Sequence, residues 1–171
     1  DDHLIIRLLD KDYRVSENGI TDMAGNRPGY VICVILAKYI LLCPDRQHFD
    51  SNWVSFKDFK GTAFTNVNFL VSDTEQVIIK HFSGNIKGLH KAGEIVLGYQ
   101  PEVDMPFDLA MQFDVLPRIS LLLLFNDKDD EFPANCSVLF AKHSEFYLDP
   151  ESLIMTSSFL AKSLRKAIPL I

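Results

Sequence analysis

Three cysteines, no dense basic stripe and no apolar run long enough to span a bilayer set the first limits on this 171-residue chain. Cys33, Cys43 and Cys136 lie in apolar surroundings at long, irregular spacings, and an odd number cannot all pair within one chain. They read as buried thiols in a reducing compartment, so a cytoplasmic location is expected. The lysines and arginines are scattered and the net charge is −6. No patch can neutralise a phosphate backbone, and nucleic-acid binding is not expected. The longest apolar run, Tyr30 to Cys43, is interrupted by Lys38 and falls short of the ~20 residues of a membrane-spanning helix. Also missing are a nucleophile elbow, a phosphate-binding glycine loop and a dinucleotide fingerprint. The chain opens Asp1-Asp2-His3 with neither an initiator methionine nor a signal-peptide pattern, which leaves room for a segment before Asp1.

What is present is an apolar fraction of 47%, ample for one core, and residues 1–171 read as a single domain. Leu4, Ile5, Leu8 and Leu9 have the spacing of one helical face, which predicts a short opening helix. Asn18-Gly19 predicts a hairpin over about 13–24. After the breakers Gly25 to Gly29, the apolar stretch Tyr30 to Leu42 predicts a buried helix ended by Pro44. Trp53-Val54 reads as extended, and Ser55 through Asp58 as a capping box opening one helical turn. Gly61 to Thr65 reads as extended. Ser72 through Glu75 is a second capping box, ahead of Val77, Ile78, His81 and Phe82. Ile86, Leu89, Gly93, Val96 and Leu97 trace another helix, with Gly98 placed to close it.

From Phe107 the period changes to two, with Leu109, Met111, Phe113 and Val115 alternating against Asp108, Ala110, Gln112 and Asp114. Leu116-Pro117 interrupts this strand. Ile119 to Phe125 then follows as an unalternating strand that demands cover on both faces, and Cys136 to Ala141 supplies a third. Asp149 and Pro150 open a C-terminal helix whose Lys162, Arg165 and Lys166 complement its dipole. The expected fold is therefore α+β. An antiparallel sheet with core strands near 107–116, 118–126 and 136–141 is covered on both faces by helices near 30–42, 72–98 and 150–168.

The strings Leu116-Pro117-Arg118-Ile119, Asp130-Glu131-Phe132-Pro133, Leu139-Phe140 and Tyr147-Leu148 resemble the C-terminal signature of the domain-of-unknown-function 3786 family. Trp53 through Phe59 and Leu97-Gly98 resemble its middle segments. The resemblance implies a protein type found mainly in anaerobic bacteria and archaea, sometimes joined to iron-sulfur-binding segments, with no established activity. It brings no cofactor to this chain, because the three cysteines supply no cluster spacing.

The densest charge is the run Asp127-Lys128-Asp129-Asp130-Glu131 between two apolar strands. Asp127, Asp129 and Glu131 offer oxygens at every second position, suited to a hard cation such as Mg²⁺ or Ca²⁺. An EF-hand loop beginning at Asp127 needs glycine where Phe132 stands and glutamate where Val138 stands, so that motif fails. A solvated hairpin tip whose charge discourages edge pairing is the plainer account. Arg118, at the mouth of an apolar strand, needs Asp114, Asp130 or Glu131 as a partner, or else an anionic ligand. Arg118, Asp129, Asp130, Glu131 and Tyr147 make up the expected binding set. His90 and Glu94 stand four apart on one helix face, with His81 on the preceding helix, as weaker metal ligands or as a surface pair. His48 beside Asp50 and His143 beside Glu145 read as isolated loop pairs. Cys136 has no histidine close in sequence and reads as a buried thiol. The 13 phenylalanines fill a core or line a pocket for a flat apolar ligand.

These features point first to a non-catalytic ligand-binding or accessory domain whose partner is a small molecule or a protein, and the family resemblance implies a setting in anaerobic cofactor metabolism. The alternatives are a metal-assisted enzyme built on Asp127 to Glu131 with Arg118, and an interaction protein with an acidic docking tip.

Overall fold

The computed structural model describes residues 2–59, 68–102 and 106–169, with side chains for all of these except 68–72. The fold is α+β: among the described residues four helices accompany two antiparallel sheets, one of three strands and one of four. The expected Gly61 to Thr65 segment lies outside the described residues.

β1 (Leu4–Leu8), β2 (Lys11–Ser16) and β3 (Gly19–Asp22) form the small sheet in sequential order. The predicted opening helix is thus a strand. Ile6 and Leu8 are buried while Ile5 and Arg7 face outward, which is a period of two. Leu9 then takes φ +56° and reverses the chain, so that Leu8 pairs with Lys11 and Leu4 with Val15. The Leu9 N–H donates to the Val115 carbonyl at 2.8 Å and ties this sheet to the larger one. Long-range pairing has overridden a helical spacing carried by only four residues. The predicted hairpin is present, with the positive φ at Gly19 and with Ser16 paired to Gly19.

α1 (Tyr30–Leu41) starts at the breaker cluster as predicted, and Lys38 Nζ reaches Asp149 Oδ2 at 3.0 Å. The capping box at Ser55 is closed by Asp58, which accepts from the Ser55 N–H and hydroxyl. α2 (Asn68–Phe82) begins four residues before the predicted capping box. Glu75 lies inside the helix and accepts the Val138 N–H at 3.0 Å instead of capping its own first turn. α3 (Ile86–Ile95) ends with Leu97, not Gly98, in the left-handed conformation, φ +64°. Leu97 N–H bonds to Glu94 O and Gly98 N–H to Gly93 O, the paired bonds of a Schellman end. Gly98 is required for another reason: a Cβ there would run into Phe113 Cε1. α4 (Pro150–Ala167) is capped by Asp149, which accepts the Ser152 N–H at 2.8 Å.

The large sheet has the order β4 (Trp53–Val54), β7 (Asn135–Ala141), β6 (Ile119–Asn126), β5 (Leu109–Leu116), all antiparallel. Met111, Phe113, Leu121, Leu123, Phe125, Val138 and Phe140 share one face and join Ile78, Phe82, Leu89, Leu153, Leu160 and Leu164 in a contiguous core. Each such burial contributes roughly 1.5–3 kcal/mol before entropy is counted. Helix cover of the sheet was the expectation, and the described helices pack into this cluster. The opposite face carries Gln112, Leu122 and Leu139 in register, with Ser120, Leu124, Ala141 and Trp53 beside them. Leu122, Leu124 and Ala141 are buried there too, which accounts for the missing alternation in β6.

Candidate functional site

Arg118 and the acidic run are not brought together. Arg118 is exposed in the turn that precedes β6, while Asp127 to Glu131 follow it. Eight strand residues rising 3.2–3.4 Å each place the two at ends roughly 25 Å apart. No carboxylate among the described residues forms an ion pair with Arg118, and its exposure removes the need for one.

Two of the tip's carboxylates, Asp127 and Asp129, are turned toward the backbone. Asp127 Oδ1 accepts from the Gly84 N–H at 2.6 Å and the Lys128 N–H at 2.8 Å, fastening the tip to the α2–α3 turn. Asp129 Oδ1 accepts the Phe132 and Glu131 N–H groups, which hold its carboxyl below the usual range. Asp130 and Glu131 are exposed. Tyr147 is buried far from this tip; its hydroxyl accepts the His48 N–H at 2.9 Å and donates to the His48 carbonyl at 3.2 Å, pinning residues 44–52. His90 Nδ1 and Glu94 Oε2 are 3.6 Å apart on the exposed side of α3. His81 turns to the Ile168 carbonyl at 2.7 Å. Among the described residues no three of His, Cys, Asp and Glu are placed to hold a metal ion. Burial, reinforced by the Glu75 charge, pushes the Cys136 thiol well up, so it is held as an unreactive thiol.

A cleft of about 510 Å³ opens on the sheet's second face. Trp53, Ala141, Ser120 and Gln112 line it from across the four strands. On the β5 side, the left-handed Leu97 and the Gly98 approach deliver Tyr99 to the sheet edge. Tyr99 exchanges backbone hydrogen bonds with Gln112 at 3.0 and 2.8 Å. The Tyr99 hydroxyl donates to Asp114 Oδ2 at 3.1 Å, the Ser120 hydroxyl donates to Asp114 Oδ1 at 2.6 Å, and Gln112 Nε2 donates to the Tyr99 hydroxyl at 2.6 Å. The Tyr99 proton is committed to Asp114, so the phenol oxygen must accept from the amide nitrogen. That fixes the Gln112 amide and leaves its carbonyl oxygen free of protein donors among the described residues. Burial, then the Asp114 charge and hydrogen bond, push the Tyr99 phenol up to about 12.

The opposite wall is Phe49, Asp50, Ser51 and His143. His48-Asp50 and His143-Glu145 read as separate loop pairs in the sequence, yet the fold joins His143 to Asp50. His143 Nδ1 lies 3.2 Å from the Asp50 amide nitrogen and 3.0 Å from its carbonyl oxygen, so either tautomer finds a partner. Phe49 stacks on His143 with centroids 5.7 Å apart, leaving the Phe49 ring 85% exposed at the rim. Asp50 Oδ1 accepts from Asn52, and Asp50 Oδ2 stands 4.0 Å from Lys142 Nζ.

Sequence reasoning singled out none of Tyr99, Gln112 and Ser120. Two signals pointed there: Gln112 and Asp114 occupy the polar side of the β5 alternation, and Ser120 is the one hydroxyl inside the apolar β6 run. The convergence of Tyr99 and Trp53 on them had no local signature. No helix among the described residues is long and apolar enough to cross a membrane. No curated protein and no solved structure matches the chain significantly. A family model described as Domain of unknown function (DUF3786) matches residues 1–163, from before β1 into α4. The chain therefore belongs to the DUF3786 family.

Proposed function

We propose that this chain is a non-catalytic binding domain for a small planar molecule held in the cleft between Trp53, Tyr99 and His143. One observation carries this reading. A concavity of about 510 Å³ combines aromatic rings with a hydrogen-bond network, Gln112-Tyr99-Asp114-Ser120, that is fully ordered by its own partners. That volume lies within the roughly 300–1,000 Å³ usual for small-molecule sites, and a few oriented polar groups among rings are the usual means of fixing a ligand. Binding without turnover is supported by the state of two nucleophile candidates, Ser120 and Cys136. The Ser120 hydroxyl is engaged by Asp114 at 2.6 Å, and the Cys136 thiol is buried. An accessory role in anaerobic cofactor metabolism, which the family resemblance implies, is the setting we propose for it.

The test is a fragment screen of planar heterocycles followed by amide and indole NMR shifts. Hits are expected to move the Trp53 indole and the Gln112, Ser120 and His143 amides. Hits that move only residues 127–132, or none that move the cleft, would count against the reading.

A further inference from the structure

We infer that the cleft selects a planar organic cation carrying N–H donors, of the amidinium or guanidinium class. This rests on the cleft being the binding site. Four described lining residues, Asp50, Glu102, Gln112 and Ser120, offer acceptor oxygens. The Gln112 amide oxygen faces no protein donor among the described residues, because the Tyr99 hydroxyl fixes the amide's orientation. The Ser120 hydroxyl donates its hydrogen bond to Asp114 and presents lone pairs. Asp50 and Glu102 contribute carboxylates, and no lysine or arginine is among the described residues of the lining. Glu102 has no ion-pair partner among the described residues, and the nearest recorded cation to Asp50, Lys142, stands 4.0 Å from it.

An anion entering this concavity would face the Asp50 and Glu102 carboxylates, and a neutral ring would leave them without an opposite charge. A flat cation with forked N–H groups matches carboxylate and amide oxygens together. Trp53, Tyr99 and Phe49 supply the ring faces on which such a cation is further stabilised.

Trp53 is the only tryptophan in the chain and lines the cleft, so its fluorescence reports occupancy directly. The probes are benzamidine, its neutral isostere benzamide, its anionic isostere benzoate, and N-methylpyridinium, a planar cation without N–H donors. At mildly alkaline pH benzamidine should bind about tenfold or more tighter than benzamide, with benzoate weakest, as charge-assisted hydrogen bonds require. N-methylpyridinium should fall between benzamidine and benzamide. Glu102→Gln should weaken benzamidine by roughly three- to tenfold and benzamide by clearly less. Equal binding of benzamide and benzamidine, or preference for benzoate, overturns the cation inference while leaving the cleft as a binding site. Benzamidine binding that is indifferent to Glu102→Gln also overturns it. No response of Trp53 to any probe overturns it as well, and the heterocycle screen then decides separately whether the cleft binds anything.

Discussion

The tip after β6 and the cleft on the sheet's second face are both rich in carboxylates, but their oxygens are engaged differently. At the tip, Asp127 and Asp129 accept hydrogen bonds from Gly84, Lys128, Glu131 and Phe132, all backbone groups within or beside the loop. Their charge shapes a turn. Beside the cleft, Asp114 orders two hydroxyls that belong to different elements, and Ser120 and Gln112 still present acceptors to the concavity. Charge density along a chain therefore marks a place that must be solvated or folded inward. A binding locus needs groups distant in sequence to converge with capacity left over.

The comparison can be broken most strongly at Gly98. A methyl group there meets Phe113 Cε1 and Cδ1, both rigid ring atoms in the core. Gly98→Ala should destabilise by about 1–3 kcal/mol in denaturant unfolding, and should weaken cleft ligands because Tyr99 follows directly. An unchanged midpoint would mean that the α3 end does not press on β5. Next in size, Asp127→Ala should cost about 0.5–1.5 kcal/mol through the lost Gly84 and Lys128 bonds and leave cleft binding intact. A loss of binding in that variant would merge the two regions that the account keeps apart.

Tyr99 supplies a pH signature confined to the cleft. Its folded pKa of about 12 exceeds that of an ordinary phenol, ~10. The fold thus favours the neutral form. That increment of stability is present below ~10 and is lost as pH rises toward about 12. Ultraviolet titration of wild type minus Tyr99→Phe should show a phenol ionising late, and a difference transition near 10 would remove the burial and Asp114 contributions. Leu97→Gly should stabilise by about 0.5–1 kcal/mol by relieving a left-handed leucine, measured as a raised midpoint. The smallest effect belongs to the tip's exposed positions: Asp130→Asn with Glu131→Gln should change stability by under about 0.5 kcal/mol and binding not at all.

Much of the architecture was legible because its signals are local. The two-residue period of β5, the breaker-bounded α1, the Asn18-Gly19 hairpin and the Asp149-Pro150 start of α4 all stand where the sequence placed them. β1 was misread because Ile6 and Leu8 declare a strand only once β2 is paired to them. The start of α2 was misread because Glu75, a good capping residue, is taken by the Val138 N–H across the fold. The separation of Arg118 from Asp127 to Glu131 was legible in principle: a strand drives apart whatever precedes and follows it. The cleft was not, since Trp53, Tyr99, Ser120 and His143 come from four separate segments, and only the strand order β4-β7-β6-β5 assembles them.

The most direct test of the distinction is calorimetric titration of the strongest planar ligand into two double variants of matched stability. One alters the cleft, Tyr99→Phe with Gln112→Ala; the other alters the tip, Asp130→Asn with Glu131→Gln. The account predicts binding heat lost in the first and unchanged in the second. Heat retained in the cleft variant and lost in the tip variant would contradict it.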